Sequence, residues 1–191
     1  MRVVVSEFVT LDGVMEDPGG AEGMDGGGWA FQFDRGAEGD KFKGDELFAS
    51  DALLLGRRTY EGFAAAWPSR TDEAGFADKM NSMPKYVVSS TLSDPEWNNA
   101  RVISGDVAQE ISALRMQPGR DILVGGSCQL VHALMKHQLI DELRLMIFPV
   151  VLGRGKRLFP DGTDKTPLHV VDVKLAADVV LLTLQPKEEA R

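Results

Sequence analysis

An unbroken apolar run, Ala52-Leu53-Leu54-Leu55, passes straight into Gly56-Arg57-Arg58-Thr59 and then into a short helical pattern, Tyr60 to Ala66. Consecutive apolar residues without alternation describe a strand buried on both faces, the kind found in sheets covered by helices. Gly56 at its end permits a tight turn or the close approach of a ligand to the backbone. Thr59 reads as the N-cap of the following helix, whose free N–H groups would point at an anion. Arg57 and Arg58 add positive charge at the same spot, with fork geometry suited to phosphate. The same residues also fit a plain strand end, with two surface arginines balancing Asp51 and Glu61.

A net charge of −8 over 191 residues argues against non-specific nucleic-acid binding, which needs a basic face. Against that background a local Arg57/Arg58 pocket would stand out and steer an anionic ligand. One cysteine, Cys128, excludes an internal disulfide framework and a cysteine-rich zinc site. His132, His137 and His169 are too scattered for a metal site, and no metal is expected. The chain shows no signal-peptide pattern and no apolar run long enough to cross a bilayer, so the expectation is a soluble cytoplasmic protein.

Taken in order, Arg2 to Thr10 reads as a first, central strand ending in the turn Thr10-Leu11-Asp12-Gly13. Met15 to Gly28, rich in Gly, Asp and Glu, is a long loop of the kind that carries function. Trp29, Phe31 and Phe33 follow it. They read either as walls for a flat ligand or as anchors pinning the loop, with the anchor reading favoured for Phe31 and Phe33 and both open for Trp29.

Asp40 to Ser50 reads as a helix, Lys85 to Ser90 and Arg101 to Ile103 as strands, and Phe76, Met80 and Met83 as one weak amphipathic helix. Asp106 caps a helix carrying Val107, Ile111 and Leu114, which Pro118-Gly119 stops. Asp121 to Val124 is a strand. It enters Gly125-Gly126-Ser127 and a helix to His137, so the strand–glycine–helix junction occurs twice. Leu143 to Val151 is a strand interrupted by Pro149, and Leu168 to Leu175 with Val179 to Gln185 form an antiparallel hairpin. Alternating strands and helices ending in a hairpin imply an α/β fold with a mixed, mostly parallel sheet and helices on both faces. A single domain over 1–186 with a tail at 187–191 is expected.

With these pieces assembled the chain resembles the dihydrofolate reductase fold, in the branch of the riboflavin-biosynthesis reductase C-terminal domain. The resemblance rests on Thr10-Leu11-Asp12-Gly13, Leu55 to Glu61, Val87 to Ser90, Val124 to Ser127, Ile140 to Leu143 and Pro149 to Gly155, in that order. It implies a three-layer α/β/α architecture and NADPH as cofactor. Arg57, Ser89 and Ser90 would cradle the 2′-phosphate. Thr10, Gly56, Arg58, Thr59, Gly125, Gly126, Ser127 and Gln129 would complete the cofactor site, with Cys128 standing where an arginine is frequent. Asp34 is similar to the family's proton-delivering, substrate-binding acid that follows a tryptophan, here Trp29. Asp40 is the competing residue. Asp12 is similar to a strand-end aspartate near the nicotinamide, and reads equally well as a turn residue bonding its own backbone.

The zinc deaminase domain that is often fused to these reductases is absent from this sequence. Thr91 to Val102 also lacks the basic signature those enzymes carry around the ribose phosphate. The implied activity is hydride transfer to a small heterocyclic or carbonyl substrate, of pyrimidine-reductase or dihydrofolate-reductase type. Two alternatives remain at this point: a nucleotide-binding protein without turnover, and an interaction domain using the fold as a scaffold. The resemblance also implies a homodimer, for which Leu143 to Val151 or the C-terminal hairpin would supply a surface if they are not plain core.

Overall fold

Val3, Val4 and Val5 are all fully buried, because β1 (Arg2–Thr10) runs through the middle of the sheet in the computed structural model, which describes residues 1–187. The remaining strands are β2 (Ser50–Gly56), β3 (Lys85–Val88), β4 (Ala100–Ile103), β5 (Asp121–Val124), β6 (Glu142–Phe148), β7 (Leu168–Ala176) and β8 (Val179–Pro186). Their order is β4-β3-β2-β5-β1-β6-β8-β7. The first six are mutually parallel, while β8 runs antiparallel to β6 and β7 antiparallel to β8.

The helices are α1 (Gly36–Ala49), α2 (Arg57–Ala66), α3 (Phe76–Ser82), α4 (Val107–Arg115) and α5 (Cys128–Lys136). Leu47 of α1, Tyr60 of α2 and Met80 of α3 pack on Val4, Leu53, Leu55 and Val87. Ile111 and Leu114 of α4, with Leu130, Val131 and Leu134 of α5, pack on Val3, Val5, Leu54 and Ile122 from the opposite face. The result is the three-layer α/β/α architecture with a C-terminal antiparallel hairpin. A third cluster, Trp29 with Phe148, Met146 and Leu181, lies against β6 and β8.

Several boundaries differ from the sequence reading. Helix α2 begins at Arg57 with Gly56 as its N-cap, so Thr59 lies inside the first turn and caps nothing. Helix α1 begins at Gly36, four residues before Asp40, where Asp34 Oδ1 accepts the Gly36 N–H at 2.7 Å. Strand β6 stops at Phe148, since Pro149 has no N–H to give the ladder. Asp106 caps α4 as expected, accepting the Gln109 N–H at 2.9 Å.

Lys85, fully buried at the start of β3, donates to the carbonyls of Asn81, Met83 and Asn98 at 2.9, 2.8 and 2.9 Å. Its ammonium lies 4.3 Å from the Trp97 ring centroid. Burial pushes this lysine down to about 8. Of the expected tail at 187–191, Lys187 donates its N–H to the Pro167 carbonyl, and residues 188–191 lie outside the described residues.

Candidate active site

Strand lengths create the opening. β5 ends at Val124, opposite Val5 of β1 and Leu54 of β2. β1 continues to Thr10 and is paired beyond Val5 only with β6. A crevice therefore opens beside Ser6 to Thr10, at the carboxyl ends of the parallel strands. The chain leaves β1 toward α1 on one face and leaves β5 toward α5 on the other, which makes this the topological switch point, the usual ligand crevice of an open α/β sheet.

The two glycine junctions meet there. The Gly56 N–H donates to the Gly126 carbonyl at 3.2 Å. A Cβ on Gly56 would lie 2.1 Å from Ser127 Oγ and 2.8 Å from Ser127 Cβ. A Cβ on Gly126, whose φ is +97°, would lie 2.7 Å from Thr59 Oγ1. Neither position admits a side chain, because Ser127 fills the space beside Gly56 and Thr59 the space beside Gly126, so the β2–α2 and β5–α5 turns interlock. Neither helix start has a side-chain cap, in contrast to α4. Their first N–H groups are left for a ligand or solvent.

Around this centre the expected cofactor residues divide. Arg57 and Arg58 are exposed at the first turn of α2, and Arg57 pairs with Glu61 at 2.8 Å. Arg58 lies in electrostatic range of Glu16 and Glu22 in the Met15–Gly28 loop. Ser90 is exposed beyond β3. Ser89 is buried, its Oγ accepting the N–H groups of Thr91 and Leu92 at 3.1 and 3.0 Å, so its hydroxyl is committed to a turn. Thr10 is likewise committed, donating to Asp12 Oδ1 at 2.6 Å and accepting the Val14 N–H at 2.9 Å. Gly125 borders α2 at Phe63, and Gln129 is exposed on α5.

Asp12 accepts from the Thr10 hydroxyl and from the N–H groups of Leu152 and Gly153, at 3.2 and 2.8 Å. The Thr10 bond leads in holding its carboxyl below the usual range. A carboxylate kept ionised by three donors is a poor proton source. In this geometry it braces the turn after β1 against the segment after β6.

Asp34 is exposed and sits at the other end of the site. Its backbone N–H donates to Asp178 in the β7–β8 turn, and its carboxylate serves the start of α1. From β2 to β8 the sheet spans four strand spacings, roughly 19 Å, so the structure does not bring Asp34 to the glycine junctions. Asp40 is exposed and pairs with Arg35 at 2.6 Å. Trp29, which the sequence left open between ligand wall and anchor, is a core residue at 0% exposure, donating its indole N–H to the Glu16 carbonyl at 2.9 Å. Its ring packs edge-on against Phe148. Phe33 anchors on the same Phe148, whereas Phe31 is 79% exposed and anchors nothing. The anchor reading thus fits Trp29 and Phe33 and fails for Phe31.

The sequence reading overlooked the polar centre of β1. Ser6 and Glu7 interrupt an otherwise apolar central strand and are both buried. Ser6 faces α1, where its hydroxyl meets Glu46 Oε1 and Lys43 Nζ, each at 2.7 Å, and Lys43 also pairs with Glu46. Glu7 borders the crevice. Burial raises its carboxyl from 4.5 to about 8, while Lys43 and the Gly126 backbone amide pull the other way. Glu7 Oε1 and Glu46 Oε2 are buried without a hydrogen-bond partner. Cys128, at the first position of α5, is a neutral thiol pushed up to about 11 by burial. Well below pH 8 both groups beside the α5 start are therefore mainly neutral. Lys156, paired with Glu16, is the cation whose charge opposes that rise at Cys128.

The Met15–Gly28 loop is tied down by its own chemistry. Buried Asp17 accepts the N–H groups of Glu22 and Met24 through its carboxylate, and those of Gly20 and Gly28 through its carbonyl. Lys156–Glu16 and Arg154–Asp25 pairs fasten the loop to the segment after β6. Among the described residues no cluster of three or more His, Cys, Asp or Glu side chains could hold a metal, and no helix is long and apolar enough to cross a membrane.

The sheet order and its two helical layers define a dihydrofolate reductase-like α/β fold. Dihydrofolate reductase from Enterococcus faecalis, solved with NADP(H), superposes with a TM-score of 0.57 at 16% identity, over 98% of this chain and 97% of that one. A Shewanella sp. PV-4 protein described as a riboflavin biosynthesis protein superposes with a TM-score of 0.76 at 22% identity, over 98% and 100%. YyaP, an uncharacterized protein of Bacillus subtilis (strain 168), is 31% identical over 176 residues, 91% of this chain and 88% of its own. Residues 1–182 match the model of the RibD C-terminal domain, and the chain belongs to that family.

Proposed function

We propose that this protein is an NADPH-dependent reductase delivering hydride to a small heterocyclic or carbonyl substrate. The observation that carries the reading is the abutment of the two glycine junctions at the switch point, each opening an uncapped helix. The two uncapped helix starts lie side by side there, with the Ser127 and Thr59 hydroxyls between them, and their free N–H groups would take a diphosphate. Arg57, Arg58 and Ser90, exposed at the ends of the neighbouring strands β2 and β3, would take the 2′-phosphate that distinguishes NADPH from NADH. Thr59, Ser127 and Gln129 add hydrogen-bonding groups along the diphosphate.

The cofactor supplies the hydride when bound. The chain's own task is then to orient the two reactants and deliver a proton. Glu7 is the acid whose position and protonation suit that step: it is buried at the crevice edge and raised to about 8, whereas Asp12 is held low by its three donors. Lys43, held by Glu46 and Ser6 on the α1 side of β1, is the cation whose charge acts on Glu7. The substrate class is that of the family: a pyrimidine of riboflavin-reductase type, or a pterin.

The test is a titration of NADPH and NADH against wild type, Arg57→Ala and Arg58→Ala. NADPH should bind at least tenfold tighter than NADH, and the preference should shrink in both variants. Absence of binding by either nucleotide would end the reductase reading.

A further inference from the structure

The stretch Gly153-Arg154-Gly155-Lys156-Arg157 gathers three of the chain's 21 Lys and Arg residues, in a protein of net charge −8. It follows β6 and lies along the start of the Met15–Gly28 loop. There the Met15 N–H donates to the Lys156 carbonyl and the Leu158 N–H to the Gly13 carbonyl, each at 2.9 Å. A Cβ on Gly155, whose φ is +104°, would lie 2.7 Å from Val14 Cγ1 and 2.8 Å from Met24 Cε, so only glycine permits this close an approach. On its other side the stretch meets α5, where His132 Nε2 lies 2.8 Å from the Arg157 carbonyl. A cavity of about 380 Å³ opens here, lined by His132, the 153–157 stretch, Pro160 and Asp161. That volume is ample for a small ligand. Its charged lining is three cations against one carboxylate, Asp161.

The three cations are held to different degrees. Lys156 is committed to Glu16, through its ammonium and through its backbone N–H at 2.9 Å, and the pairing holds the Glu16 carboxyl below its usual range. Arg154 reaches Asp25 by one contact at 2.5 Å, with the two side chains 68 and 84% exposed. An ion pair so open to water contributes little, and a better anion displaces it. Arg157 is exposed, and among the described residues no carboxylate lies within ion-pair distance of its guanidinium. One free guanidinium fork and one weakly held fork therefore line the same cavity, and such forks match the oxygens of a phosphate. A single carboxylate gains nothing at Arg154 that Asp25 does not already supply. A diphosphate carries two charged centres and can engage both arginines at once.

We infer that this cavity binds a compact di- or polyphosphate, which takes Arg154 from Asp25 and so releases one of the two ion pairs fastening the Met15–Gly28 loop. The inference does not rest on the reductase reading, since it uses neither Arg57, Arg58 nor the glycine junctions.

Calorimetric titration with inorganic pyrophosphate, without nucleotide, tests it. Wild type should bind one equivalent with a dissociation constant of about 1 mM or tighter at about 0.1 M salt. Arg154→Gln and Arg157→Gln should each weaken binding at least fivefold. Asp25→Asn removes the competing carboxylate and should tighten binding at least twofold. Lys174→Gln, which removes an exposed charge on β7, and Arg57→Ala should both bind as wild type does. Absence of binding overturns the inference. So does an equal loss in Lys174→Gln, which would mean general attraction to positive charge and an adventitious ion only. Displacement of pyrophosphate by NADPH would assign the binding to the nucleotide's own diphosphate and overturn the separate site. An Asp25→Asn variant that binds no tighter refutes the exchange at Arg154.

Discussion

Replacing Glu7 by Gln isolates the buried acid at the crevice. Glu7 rises from 4.5 to about 8 because it is buried, and its Oε1 has no partner. The folded state then holds the proton more tightly than the unfolded chain. Stability from this group is fully present below pH 4.5 and is lost progressively as pH rises to about 8. The full loss is on the order of 5 kcal/mol, of which about 3 kcal/mol falls between pH 5 and pH 7.5. Glu22 is also raised by burial, but it is common to wild type and variant and cancels in their difference. The carboxylates held low by hydrogen bonds, Asp12, Asp51 and Asp72, act below that interval. Lys85, depressed to about 8, acts above it. Urea unfolding of wild type and Glu7→Gln at pH 5 and 7.5 reads the difference directly. Gln keeps the shape and cannot ionise, so the variant should gain about 3 kcal/mol over wild type between the two pH values. Parallel losses in both proteins would mean that Glu7 titrates normally, and its role as a neutral proton donor would fall with that result.

Gly56→Ala puts a methyl 2.1 Å from Ser127 Oγ and 2.8 Å from Ser127 Cβ. It should cost about 1–3 kcal/mol in urea unfolding and weaken nucleotide binding at least tenfold, as read by titration. Lys85→Met strands the three carbonyls that the ammonium now satisfies, and should cost at least about 3 kcal/mol, measured by the same unfolding assay. Cys128, pushed up to about 11, should alkylate with iodoacetamide at pH 7.5 at least tenfold more slowly than a free thiol at about 8.5. Its rate should keep climbing past pH 9.

Much of the fold is legible because its signals are local. Three valines in a row and the run Ala52 to Leu55 are buried on both faces in the structure, as strands without alternation must be. Asp106, three residues before Gln109, caps a helix in the sequence and in the structure. The start of α2 was misplaced for an equally local reason. Thr59 has the cap chemistry, but extended Gly56 already turns the chain, and the helix closes from Arg57. The aromatic residues after the loop illustrate the other limit. Composition cannot separate Trp29, buried against Phe148, from exposed Phe31 two positions later. Only the path of the short helical turn at Trp29–Gln32 decides which ring faces the core. Glu7 did leave a signal, a carboxylate inside a central apolar strand. Its meaning depends on β5 ending opposite Val5, a fact about strand length elsewhere in the chain.

The sequence by itself determined the strand–glycine–helix junctions, the parallel sheet with helices on both faces, and the family, because backbone conformation and hydrophobic period act over a few residues. The tertiary structure decided which polar groups meet. It pressed Gly56 against Ser127, committed Thr10, Asp12 and Ser89 to turns, set Asp34 beside the β7–β8 turn, and buried Glu7 at the crevice. Hydrogen bonds, desolvation and charge pairing depend on neighbours that lie tens of residues away in the chain, and those neighbours exist only once the layers have packed.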